Sequence, residues 1–220
     1  MKKLQVTIEL LYELLGTCNS DPAIHEKFIA SKAPDAPSRE EEVAALGVDE
    51  VVEKGKTVFP KEDGKPFLFN YQIRGFFKAA AAALQRCKGE DFSKATCKIK
   101  AYKKVIDGCI FVEPRKIFIQ MPEGGEMGDC QRPLRAQTAQ GERVALADSE
   151  SVPAGSRLTF VIDIRNDAYE AAVLEWLAYG RFNGLGQWRN SGKGSFRVVE
   201  MEELPDTDNE LDRLKKMLKK

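Results

Sequence analysis

Four glycines, at 184, 186, 192 and 194, bracket Trp188, Arg189, Asn190 and Ser191 in the stretch GLGQWRNSGKGSFRV. Glycine loses more conformational entropy than any other residue and supplies no packing, so this density points to backbone that needs positive φ or approaches something closely. An aromatic beside an arginine is a pair that stacks on flat rings and clamps phosphates. A second cluster lies upstream in QIRGFFKAAAAALQRCK, where Arg74 and Lys78 stand four apart with Gly75 between them. That spacing puts both cations on one face of a helix's first turn. There they oppose the macrodipole at a cost of a few tenths to about 1 kcal/mol unless an anion is present. Local rules broken in this way tend to mark function. A third group, Arg132, Arg135 and Arg143, falls in CQRPLRAQTAQGERVAL with one acid, Glu142, which suits a projecting segment that tracks phosphates. Each cluster also has a bland account: a surface loop with Trp188 folded onto the core, two snorkelling side chains, and a solubilising edge.

The elements that must position these residues follow from pattern. Residues 4–12, LQVTIELLY, alternate Leu4, Val6, Ile8 and Leu10 against Gln5, Thr7 and Glu9, the period of a half-buried strand. Helix-start chemistry at Asn19, Ser20, Asp21 and Pro22 precedes AIHEKFIASKA, and Ser38 with Glu41 opens a second, acidic helical segment that Gly55 closes. KEDGKPFLFNYQ reads as a turn into the alanine-rich helix 72–88. The basic stretch SKATCKIKAYKKVID is a loop or short helix, followed by strands at 109–112 and 116–121. After a polar, glycine-punctuated excursion, SRLTFVIDI (156–164) is a strand, and AYEAAVLEWLAYGRF is a helix with Trp176 in its apolar face. The glycine-rich loop then leads into the closing strand SFRVVEME. The order is the βαββαβ of an α+β, ferredoxin-like (RRM-like) sheet. One domain over 1–204 is expected, with insertions at about 17–69 and 122–156, and with an amphipathic tail at 205–220 carrying Leu211, Leu214, Met217 and Leu218.

Composition bounds the function. The chain has 220 residues, 43% of them hydrophobic and 31% charged, as in soluble globular proteins. No run of about eighteen apolar residues exists, and the N-terminal stretch lacks a signal-peptide cleavage pattern. Five scattered cysteines, none in a CxxC, argue against a disulfide framework and a thiolate zinc site, and fit a reducing cytoplasm. No metal or cofactor is expected. The 34 basic and 34 acidic residues balance overall, but residues 70–120 hold eleven Lys or Arg against four Asp or Glu. A cationic face can exist without showing in the total.

Together these residues resemble a known family. Gly184 to Gly194 is similar to the C-terminal glycine-rich loop of the RAMP superfamily, the RNA-binding proteins of CRISPR systems, whose pattern is Gly, hydrophobic, Gly, five residues, Gly, hydrophobic, Gly. Lys193 departs from it, being polar where the family has an apolar residue. Ile73 to Lys78 is similar to the basic-Gly-x-x-basic helix start of the guide-RNA backbone subunits. The resemblance implies that Arg74, Gly75 and Lys78 meet phosphates, and that Gly184, Gly186, Arg189, Gly192, Lys193 and Gly194 hold the ribose-phosphate chain. It also implies that Trp188 stacks on a base, and Arg132, Arg135 and Arg143 match by position a thumb-like hairpin. Single-stranded RNA is the implied partner, with a homo-oligomer or CRISPR-type ribonucleoprotein as the assembly. Processing members cut RNA without metal using a histidine after the first strand, the region of His25, and some backbone subunits use an aspartate there, as Asp21. Three readings stay open: a non-catalytic RNA binder, a metal-independent endoribonuclease, and a phage-encoded decoy or inhibitor of a host defence complex.

Overall fold

The computed structural model describes residues 2–19, 56–88, 90–138, 141–205, 214–215 and 217–218. Strand β1 (Lys2–Leu10) is central because one of its sides, Leu4, Val6, Ile8 and Leu10, is wholly apolar and buried. It pairs antiparallel with β11 (Arg157–Ile164) on one flank and with β12 (Phe196–Leu204) on the other. Beyond β11 lie β7 (Ile110–Glu113) and β8 (Lys116–Gln120), then β6 (Lys65–Phe69) and β5 (Lys61–Glu62). Helix α1 (Asn70–Leu84), which follows β6, lies in the connection from β1 to β7, two strands with β11 between them, and α4 (Glu170–Tyr179) links β11 to β12 across β1. Each βαβ unit thus leaves room for one strand of the other, and the expected ferredoxin-like α+β arrangement is found.

Both helices cover the apolar side of the sheet, where Phe77 of α1 and Trp176 of α4 meet with ring centroids 5.6 Å apart. Trp176 is fully buried, as its sequence position implied. Its indole N–H donates to Thr96 Oγ1 at 3.0 Å, and that hydroxyl donates to Glu175. Glu175 also accepts the backbone N–H groups of Ala95 and Thr96, which fixes α2 (Lys94–Cys97) against α4. The basic stretch is therefore two short helices, α2 and α3 (Tyr102–Cys109).

The sequence reading of KEDGKPFLFNYQ as a turn is corrected: it contains the hairpin β5–β6. Phe67 stands opposite Phe118 in register, with ring centroids 5.7 Å apart, and cross-strand aromatic pairs of this kind stabilise a strand that local pattern leaves ambiguous. The helix accordingly starts earlier, at Asn70, where the Gln72 side chain accepts the Phe69 N–H at 2.8 Å. The arginine-bearing excursion is a long hairpin, β9 (Gly128–Thr138) and β10 (Gly141–Val152). It forms a second sheet with the short strands β2 (Leu14–Leu15), β3 (Cys18–Asn19) and β4 (Thr57–Val58). The helical segments expected between 23 and 55 lie outside the described residues. Among the described residues no helix is long and apolar enough to cross a membrane.

On the open side of the main sheet, Glu9 bridges three strands, bonding Arg197 at 2.7 Å and Arg157 at 2.9 Å. Arg197 first, then Arg157, holds its carboxyl below the usual glutamate range. A depressed folded-state pKa contributes stability above the unfolded value, and this is lost as pH falls through the folded value. Glu9→Gln is therefore expected to flatten the acid limb of stability against pH, read as urea midpoints between about pH 7 and pH 3. An unchanged acid limb would count against a role for this bridge.

Candidate nucleic-acid interface

The loop between α4 and β12 closes on itself through two glycines. Leu185 N–H donates to Gly194 O at 3.0 Å, and Gly194 N–H donates to Glu13 O at 2.9 Å. A side chain at Gly184 would place its Cβ 1.8 Å from Gly194 O, so the loop's two ends touch backbone to backbone. Gly186, at φ +73°, lies against Leu14 and Leu15 O, where no Cβ fits. The spacing that stood out in the sequence is explained first by this closure, which sets the residues between the glycine pairs at the surface.

Gln187 anchors the closed loop to the second sheet. Its amide nitrogen donates to Gly16 O at 2.7 Å and to Thr57 Oγ1 at 3.1 Å, and its oxygen accepts from Arg132 Nη2 at 2.7 Å. Arg132 is buried on β9 and also donates to Ser149 Oγ at 3.1 Å. Its guanidinium stands 5.6 Å from the Trp188 ring centroid. Lys193, the departure from the family pattern, pairs with Glu13 and lies 5.9 Å from the same ring. Two cations thus flank an indole whose residue is itself left-handed, φ 52°.

The rim of the loop is aromatic. Trp188 is 38% exposed, Tyr12 beside Gly192 is 59% exposed, and Phe182 is 75% exposed. Arg189 is half-buried next to Trp188. Tyr12, Glu13, Phe182 and Gln187 escaped the sequence reading. Tyr12 directly after the first strand and Phe182 directly before the loop were the available signals.

The first turn of α1 approaches the loop by a different side from its cations. Gln72 donates to Thr17 Oγ1 at 2.8 Å, next to the Gly16 that Gln187 holds. Successive helical residues turn about 100°, so Arg74 points roughly 200° away from Gln72. Arg74 and Lys78 converge on one carboxylate, Asp107 of α3, at 3.0 and 2.7 Å. The Lys78 hydrogen bond above all, helped by the charge of Arg74, holds that carboxyl below the usual aspartate range. The anion that the helix start calls for is present within the chain. Asp107 is the sole acid between residues 92 and 112, which was a legible hint. Arg74 Nε is buried with no hydrogen-bond partner among the described residues. Gly75 is exposed, with nothing within 4 Å of where a Cβ would stand.

Arg135 and Arg143 lie on the hairpin opposite Val144 and Ala136, and their side chains are outside the described part. His25 and Asp21 are outside the described residues.

No protein-family model matches this chain, and no curated protein sequence does. Among solved structures it is similar to a chain in the cryo-EM structure of the Type III-B Cmr-beta bound to cognate target RNA. The TM-score is 0.52 at 11% identity, covering 92% of this chain and 60% of that one. The likeness is one of fold. The crystal structure of Cmr6 from Pyrococcus furiosus is also similar, with a TM-score of 0.44 at 10% identity over 90% of this chain and 98% of that chain. The present chain spans about 60% of the length of the Cmr-beta chain it matches. In this chain the glycine-rich loop leads into the last strand of the main sheet.

Proposed function

We propose that this RAMP-fold protein binds single-stranded RNA without cutting it, through the start of α1 and the rim of the glycine-rich loop. The observation that carries the reading is Gly75. A glycine inside a helix costs about 0.5–1 kcal/mol relative to alanine. Here no internal contact requires it, since the space above it is open. A helix surface stripped of its Cβ between two cations suits close approach of a phosphate chain. The exposed aromatic rim adds surfaces on which bases stack. The similar Cmr-beta structure is described as bound to cognate target RNA, which supports the same ligand class. The cleavage alternative rests on His25 and Asp21.

The test is equilibrium binding of a short single-stranded RNA by fluorescence anisotropy across a salt series. Arg74→Ala/Lys78→Ala is expected to weaken binding and to reduce the slope of log K against log salt by about 1.4, two phosphates' worth for a single strand. Absence of binding at low salt in the unaltered chain would sink the reading.

Two single substitutions sharpen it. Gly75→Ala is expected to raise stability by about 0.5–1 kcal/mol in urea unfolding while lowering RNA affinity; a stabilised variant with full affinity removes the argument from Gly75. Asp107 pairs with both Arg74 and Lys78 and so competes for them with a phosphate. Asp107→Asn is expected to raise RNA affinity several-fold by releasing both cations. Unchanged or reduced affinity in that variant places the phosphate contacts elsewhere.

A further inference from the structure

We propose that the hollow between the end of α4 and the glycine-rich loop receives one unstacked nucleobase of a bound single-stranded RNA. This rests on the RNA-binding reading and adds to it a base-specific contact distinct from the phosphate contacts of α1. The hollow has a volume of about 670 Å³ and is lined by Tyr179, Phe182, Asn183, Trp188, Arg189 and Asn190, with the loop glycines as its low wall. That volume falls within the ~300–1,000 Å³ of small-ligand sites.

Three features point to a base. The first is aromatic surface without core function: Phe182 is 75% exposed and touches Tyr179 at a centroid separation of 6.2 Å. Tyr179 and Trp188 line the same hollow, and grouped exposed aromatic surface, unlike one exposed apolar side chain, marks a binding site. The second is polarity. The lining contributes side-chain amides and one arginine but no acid, and amides offer paired donors and acceptors to the Watson–Crick edge of an unstacked base. The third is preorganisation. Trp188 holds a left-handed backbone, φ 52°, that only the surrounding structure sustains. Its carbonyl accepts from Ser191 N–H at 3.1 Å and Ser191 Oγ at 2.8 Å. With Arg132 and Lys193 beside its ring, the indole is set before any ligand arrives.

The experiment compares an oligoadenylate with an abasic ribose-phosphate oligomer of equal length, by anisotropy with the full chain at low salt. The expected result is binding of the base-bearing RNA about tenfold tighter, with Phe182→Ala bringing the two affinities together. Phe182 is exposed, so that variant keeps its core. Equal affinity of the two oligomers for the unaltered chain overturns the base site while leaving the phosphate reading standing. A base preference that survives both Phe182→Ala and Trp188→Ala overturns it as well, since the base is then read elsewhere. Binding of neither oligomer overturns the RNA reading and the base site together.

Discussion

Gly184→Ala is expected to break the glycine-rich loop open and to cost more than tenfold in RNA affinity while the main sheet stays folded. The added Cβ would lie 1.8 Å from Gly194 O, 2.0 Å from its carbonyl carbon and 2.3 Å from Ser195 N. All three are backbone atoms, so no rotamer change relieves the clash. The bond from Leu185 N–H to Gly194 O must part, and with it goes the placement of Trp188 and the anchoring of Gln187. Overpacking a closed site costs about 1–3 kcal/mol and occasionally more; this position belongs at the upper end. Gly192→Ala is the control. Its φ is +87°, but its nearest neighbour is the Tyr12 ring at 3.8 Å, so the penalty is the left-handed strain of about 1–2 kcal/mol without a clash. Anisotropy with single-stranded RNA and far-UV circular dichroism separate the two outcomes. Full affinity in Gly184→Ala would show that loop closure does not set the binding surface.

Trp176→Ala is expected to remove about 3–5 kcal/mol of stability, the range for deleting a large buried aromatic. Its ring is wholly buried against Phe77, and its N–H ends a chain running through Thr96 to Glu175. Thr96→Val tests the polar half of this arrangement. It preserves shape but leaves a buried indole N–H unpaired, at about 1–3 kcal/mol. Urea unfolding with an unchanged m-value reads both. A loss below about 1 kcal/mol in Trp176→Ala would mean that the helix layer does not depend on it.

Period was the most legible part of the chain. Leu4, Val6, Ile8 and Leu10 announce a half-buried strand because a strand's sides alternate strictly, and the same rule located 156–164. The sequence places Trp176 in the core on an apolar face shared with Ala172, Leu174 and Leu177; Ala172 and Leu177 are buried with it, whereas Leu174 is exposed and Val173 takes its place in the core. The glycine spacing was visible, but its cause was not: that Gly184 abuts Gly194 is a fact of closure in space. Strand β6 was missed because its partner, β8, lies about fifty residues away in sequence, and local pattern carries no information about register. The two cations of α1 were seen, and the demand for an anion was inferred. Its supplier, Asp107, depends on how α3 packs on α1. Arg132 shows the same limit. Its charge suggested a phosphate contact, whereas the structure commits it to Gln187, Ser149 and the Trp188 ring.

Strand β1 is paired on both flanks by strands that begin about 150 and 190 residues later, and Gln187 ties together Gly16, Thr57 and Arg132. Synthesis is vectorial, so each of these groups leaves the ribosome long before its partner exists, at roughly 5–20 residues per second. Strand β1 waits with an apolar side and unpaired amides exposed, and the loop that Gln187 ties to the second sheet emerges long after it. The surface assigned to RNA therefore cannot form on a nascent chain that has not yet passed residue 194. Synthesis of the segment between the cations of α1 and the glycine-rich loop is a built-in delay between the appearance of those cations and the completion of the surface that would hold a nucleic acid strand.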